Sequence, residues 1–285
     1  MLSEAKHLLF GKETLRSHPT LPQSDMKLWS TMADTFSLRV YSYIDRMQPQ
    51  YAAFVGTVTQ GDLPTEGMAA LYIEVAPGNE VFRLVDIAVK STEAKPGAQI
   101  VEREFGMFEV HSRAQAEVLE AGRIVLDRLN LHISERVKPS IASVQIITNV
   151  DPYQAQLLNR FRRGSMLVPG ETMLVLECAP AAYINYACNE AEKGSNIKIL
   201  HVSSVGRFGR MWLSGSEAEI LTARNAAVKA LDGLDGRPEK QITCHCEPGR
   251  AKQSPYNHEI TSRRLEITEV LLCQKPSTPN ETSMR

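Results

Sequence analysis

The chain has 285 residues, 43% of them hydrophobic, with 32 basic against 33 acidic side chains and a formal net charge of −1. That length can bury one large core or two small ones, and two domains are the natural expectation. So even a charge balance offers no broad field to hold nucleic acid or an anionic lipid membrane, and any electrostatic function must be local.

In chain order, residues 1–35 read as an N-terminal extension, expected to be disordered. The segment includes Met26 and Met32, and "MADTFSLRV" from Met32 would itself make a start. The apolar patch at residues 8–10 is too brief for a signal-peptide core, and no later stretch approaches a membrane span. "SLRVYSYID" alternates as a half-buried strand, with Leu38, Val40, Ser42 and Ile44 on one face. "QPQYAAFVGTVTQG" predicts a short helix with a proline near its start and a glycine at its end. "MAALYIEVAP" predicts a strand closed by an Ala-Pro pair. Val81, Leu84, Val85 and Ala88 fall at helical spacing, and Pro96-Gly97 is expected to stop that helix. Two strands follow, "AQIVERE" and "GMFEVHS", joined through a turn. The next helix is expected after Ser112, with Gln115 completing a capping box.

The same order then recurs. Asp151 is placed as an N-cap, with Pro152 at the first helical position and Gly164 beyond the last turn. "TMLVLECAP", a helix from Tyr183 to Lys193 ending at Gly194, the strands "IKILHVS" and "GRMWLSG", and a helix opened by Ser216 and Glu219 complete the second copy. Gly61 and Gly164, Gly67 and Gly170, Glu74 and Glu177, Pro77 and Pro180, Lys90 and Lys193, and Gly106 and Gly209 all stand 103 residues apart. Glu117 and Glu219 stand 102 apart, one turn residue having been lost. An ordered series of this kind is a tandem duplication, with domains at residues 36–138 and 139–236. Each reads as an α/β (α+β) unit, a four-stranded, mostly antiparallel sheet with packed helices.

"MAALYIEVAPGNEVFRLVDIAVKSTEAKPGAQIVEREFG" and "YACNEAEKGSNIKILHVSSVGRFGRMWLSGSEAEI" resemble the core of a bacterial microcompartment shell domain. With a strand and a short helix ahead of that core, each copy matches the circularly permuted arrangement. Two copies in one chain resemble the tandem, trimer-forming shell proteins, and "MQPQYAAFVGT" and "IITNVDPYQAQLLNR" are most similar to the ethanol-utilisation type. The resemblance implies a homotrimer that forms a pseudohexameric tile, other shell proteins as edge partners, enclosed enzymes, and small-molecule metabolites crossing a central pore. It implies a location in a cytoplasmic microcompartment.

It also gives a reason for the charge run at Glu102, Arg103 and Glu104. In relatives of this type a Glu-Arg pair in the first domain gates the pore, and by position in the strand-to-strand loop that pair maps onto Glu102 and Arg103. The repeat offset puts uncharged Val205 and Gly206 opposite them, so the gate would be built from one domain only. Gly106 and Gly209 beside the loops, with Gly206, are expected to grant backbone freedom. A lysine near the end of the alanine-rich helix lies along the tile edge in this family, and Lys90 and Lys193 occupy that place. On their own they read equally as helix-end lysines facing the helix dipole.

Other constellations carry little. "GNEVFRL" and "GRFGRMWLSG" lack phosphate-loop spacing. Cys244, His245, Cys246 and His258 are wrongly spaced for zinc, and no metal or other cofactor is expected. The five cysteines, with Cys178, Cys188 and Cys273, fit reduced thiols in a cytoplasm. Glu109, His111 and Ser112 are close in sequence, but alternation points His111 and Ser112 to opposite faces, which argues against a hydrolytic triad. Trp212 and Tyr72 read as core or interface residues. The polar tail at residues 237–285, apart from "RRLEITEVLLC", is expected to be disordered. A structural, non-enzymatic shell tile is the first reading, and a soluble trimeric ligand-sensing protein of similar α/β build is the alternative.

Overall fold

A computed structural model describes residues 36–239. The N-terminal extension, the Cys244–His258 group and "RRLEITEVLLC" lie outside the described residues. The first half runs β1 (Ser37–Ile44), α1 (Pro49–Val58), β2 (Ala69–Ala76), α2 (Glu80–Ser91), β3 (Lys95–Glu102), β4 (Phe105–Ser112) and α3 (Gln115–Leu129). A single 3-10 turn, Ile133–Glu135, leads to the second half. That half runs β5 (Ser140–Ile147), α4 (Pro152–Asn159), β6 (Thr172–Ala179), α5 (Tyr183–Gly194), β7 (Lys198–Ser203), β8 (Gly209–Gly215) and α6 (Glu217–Asp232). Each half forms one four-stranded sheet, β1-β2-β4-β3 and β5-β6-β8-β7, and every pairing is antiparallel.

Local chemistry accounts for most boundaries. Asp151 caps α4 by accepting from the Tyr153 amide at 2.8 Å, with Pro152 behind it. Ser216 and Glu219 form the expected capping box on α6. The matching box at Ser112 does not form. Ser112 Oγ instead accepts from the Ala114 amide at 3.1 Å, a local turn that delays α3 until Gln115, and Gln115 bonds the Asp45 carbonyl. Nor do Pro96 and Gly97 stop α2, which ends at Ser91; both lie inside β3, an edge strand whose register shifts between Pro96 and Ala98. Edge position and a bulge are what permit proline and glycine there.

The two halves do not have independent cores. One face of the first sheet packs on α2 and α3 through Leu71, Ile73, Phe108, Val81, Leu84, Val118 and Val125. Its other face, with Val40, Ala70, Tyr72 and Met107, joins the cluster that holds α5, α6 and the inner face of the second sheet. Helix α5 is therefore sandwiched between two sheets, which explains why seven of its twelve residues are buried, Asn185 and Asn189 among them. The outer face of the second sheet carries only α4 and a small cluster around Leu167, Met173 and Leu200, with Val175 and Trp212 partly buried.

Arg237 donates to the Glu135 carbonyl and to Ser37 Oγ and bridges to Val137, and Glu239 reaches Arg39 at 3.0 Å. Among the described residues no helix is long and apolar enough to cross a membrane.

Candidate functional site

The charge run of the first half is a tight hairpin. Glu102 pairs across to Phe105, so Arg103 and Glu104 alone form the connection between β3 and β4. Arg103 has φ of 56°, a left-handed conformation that is uncommon for a side chain branching from an L-residue. At the equivalent position of the second half stands Gly206, with φ of 90°. The backbone shape is shared, but the first half keeps arginine where glycine would sit without strain. Arg103 Nε lies 3.8 Å from Glu102 Oε1, and its side chain is 90% exposed against 48% for Glu102.

The two loops adjoin within one chain. A Cβ added to Gly206 would sit 3.7 Å from Glu102 Cγ, and Glu102, Phe105, Ser204, Val205 and Gly206 line one crevice. Gly106 and Gly209 have a different role from the one expected. Neither has a positive φ; each lies in a strand where a Cβ would collide with a backbone carbonyl oxygen, that of Gly78 or of Ala181. They are glycines because another chain segment passes too close for a side chain.

Behind the charged hairpin lies a buried group that the sequence did not reveal. Arg39 Nε bonds Glu74 Oε1 at 2.7 Å, and its guanidinium stacks 3.8 Å from the centre of the Phe105 ring. Glu74 Oε2 accepts from the Ala182 amide at 2.9 Å, at the N-terminus of α5. Burial pushes the Glu74 carboxyl above its usual range, and the Arg39 guanidinium opposes that. In the second half Glu177 pairs with Arg210 at 2.5 Å on a more open surface.

Lys90 and Lys193 lie in the last turns of α2 and α5. Lys90 pairs with Asp86 at 2.8 Å, whereas Lys193 stands 3.8 Å from Glu190 and 4.0 Å from Asp45 of the first half. Ser112 and His111 do part company as alternation requires, but Glu109 and His111 share a face. His111 Nδ1 lies 3.0 Å from Glu109 and Nε2 lies 3.2 Å from Asp62, with Glu109 and His111 buried. The i, i+2 spacing on a strand was the available signal for that pair; Asp62 could not be foreseen. Tyr72 is buried at the junction of the halves, its hydroxyl 2.8 Å from that of Tyr51, and Trp212 stacks on His201 at 4.9 Å.

Residues 38–135 match the family model described as the CsoS1D N-terminal domain. The carboxysome shell protein CcmP of Synechococcus elongatus is 52% identical over 200 residues, covering 70% of this chain and 94% of that protein. Two solved structures each align with a TM-score of 0.69. One is a fused permuted hexameric shell protein from the RMM microcompartment, 42% identical, covering 70% of this chain and 99% of its own. The other is a double-ringed trimeric shell protein from the same microcompartment, 33% identical, covering 72% of this chain and all of its own. These relatives are shell proteins and not enzymes. They also overturn the likeness to the ethanol-utilisation type, which rested on two short stretches where the match to CcmP runs through both halves. The chain belongs to the family of tandem, permuted carboxysome shell proteins that includes CcmP and CsoS1D.

Proposed function

We propose that this chain is a structural tile of a carboxysome-like bacterial microcompartment in the cytoplasm. Three copies, each contributing shell domains at residues 36–138 and 139–236, form a pseudohexameric trimer around a pore for small metabolites. Other shell proteins meet its edges, and enzymes are enclosed behind it. The pore is gated by Glu102 and Arg103, with Val205 and Gly206 as the uncharged rim between them. The observation that carries the gate is the backbone at Arg103: a strained, 90% exposed arginine stands where the duplicate uses glycine. Such strain costs on the order of 1–3 kcal/mol and is retained where the side chain has a task.

Around a threefold axis each Glu102 pairs with the Arg103 of a neighbour to close the opening. Exposed pairs are worth about 0–1 kcal/mol each. Three of them amount to a few kcal/mol at most, an equilibrium that a ligand or a facing tile can tip. Lys90 and Lys193 supply the tile edge. Family membership favours this reading over the soluble ligand-sensing alternative.

The test is electron microscopy of the full chain and two double variants. Glu102→Ala with Arg103→Ala should leave trimers intact and the central aperture open. Lys90→Ala with Lys193→Ala should leave trimers but abolish extended sheets. An identical aperture in parent and gate variant, with residues 102 and 103 away from the axis, overturns the gate; undiminished sheets overturn the edge assignment.

A further inference from the structure

The junction inside one chain is a template for a second junction. Helix α5 covers the outer face of the first sheet through three polar fastenings and one buried polar side chain. The Ala182 amide donates to Glu74. Asn185 lines one narrow cavity with Tyr72, Met107 and Glu109, while its amide donates within the helix to the Ala182 carbonyl at 3.1 Å. Asn189 accepts from the Gln48 amide at 2.9 Å. Glu192 accepts from the Gln50 and Tyr51 amides at 2.8 and 2.7 Å, capping α1, whose own N-cap residue Gln48 makes no side-chain cap.

Carried along the chain by the 103-residue repeat, these positions fall on two surfaces that are only partly covered in the single chain, with Val89, Val175 and Trp212 half-buried. One is the outer side of α2, with Asn79, Phe82 and Val89. The other is the outer face of the second sheet, with Val175, Glu177, Arg210 and Trp212, and the start of α4. At two of the positions residues have changed in matched pairs across the two surfaces, whereas Asn189 opposite Gln48 becomes Asp86, paired with Lys90, opposite Asp151, which caps its own helix. Asn185 opposite Glu109 becomes Phe82 opposite Trp212. Glu192 opposite an uncapped helix start becomes Val89 opposite Tyr153, where Asp151 already caps the helix. The acid that holds the helix amide is kept, as Glu177, and Asn79 has no side-chain cap of its own. Phe82 is 55% exposed and Tyr153 78%, as expected of residues waiting for a cover.

We infer that a second copy of this chain seats its α2 on the outer face of the second sheet, with Phe82 against Val175 and Trp212 of the partner subunit and the Asn79 amide donating to the partner's Glu177. This rests on the trimeric reading above and adds the chemistry of the joint. The reason for the exchange is thermodynamic. A joint within one chain is formed without loss of translational freedom and can be polar. A joint between chains must offset that loss, and aromatic side chains that are dry when docked do so best.

The test uses the full chain, by native mass spectrometry over a dilution series, with Phe82→Asn, Trp212→Glu and the two together. Each single change should raise the trimer dissociation constant at least about tenfold. The double variant, which installs the two residues that line the cavity inside the chain, should lose less than the product of the two effects, because neighbouring residues are not additive. Singles without effect, or effects that simply multiply, overturn the inference. A threefold map of the unaltered chain reads the same contact without any variant: Phe82 against Trp212 of the partner subunit supports it, and a trimer with Phe82 in solvent overturns it alone. A wild-type chain that never trimerises removes the trimeric reading first and this joint with it.

Discussion

Strand Ser37–Ile44 buries six of its eight residues and its duplicate Ser140–Ile147 buries none, although both are first strands at a sheet edge with the same register shift. The difference comes from what lies outside each sheet. The first sheet has α5 on its outer face and the Val137 linker beside Arg39. The second sheet has only α4 and its small cluster. A duplicated fold thus presents one satisfied outer face and one open face in every chain, which is the condition for closing a ring from identical subunits.

The sharpest way to break this comparison is at the duplicated acid. Glu74→Ala removes one member of a buried pair and the acceptor at the start of α5, and should cost about 3–5 kcal/mol in urea unfolding. Glu177→Ala removes a partly exposed pair, so it should cost the fold of one chain about 0–1 kcal/mol and act instead on assembly. Equal losses in the two variants would mean that the halves are not differentiated in this way. Next, Gly106→Ala and Gly209→Ala should each cost about 1–3 kcal/mol, and by similar amounts, since each meets a backbone carbonyl that cannot yield. A tolerated change in one half only would show that the close approach is not shared.

Smaller, and of opposite sign, is Arg103→Gly. It should stabilise the chain by about 1 kcal/mol by relieving the left-handed conformation while removing the charge proposed for the gate; a lower melting temperature would contradict it. The mildest effect concerns pH, in the first half only. Burial alone would push His111 down, but Glu109 and Asp62 outweigh it and hold the imidazole above its ordinary 6.5; burial also raises Glu109. The charged groups around the imidazole are these two acids and Lys95, paired opposite His111 across β3 and β4. Both raised groups bind protons more tightly in the folded chain. For His111 that stabilisation is complete below the unfolded imidazole value and is lost as pH rises through the folded one; for Glu109 the loss begins lower, once pH passes the unfolded carboxyl value. His111→Gln should flatten the fall in melting temperature above about pH 6.5. A slope unchanged from the parent would remove the pair from the account.

Local rules made much of the fold legible. The repeat offset located the duplicate of every element, and Asp151 and Ser216 cap the helices their sequence context predicts. Where those rules failed, a neighbour decided. Pro96-Gly97 entered a strand because β3 is an edge, and Gly106 answers to the Gly78 backbone, which no local pattern reports. Arg103 was singled out through family likeness, but its strained backbone could not be read from its letter. The buried Arg39–Glu74 pair was hidden because residues far apart in the chain meet at the junction of the halves. Matched pairs such as Phe82 and Trp212 become meaningful only once Asn185 and Glu109 are seen together.

The central claim is that the open face of the second sheet is completed by a like chain. Native mass spectrometry of the purified full chain tests it most directly. The account predicts particles of three chains or multiples of three, down to low concentration. A chain that remains a monomer, or that pairs only as a dimer, would contradict it.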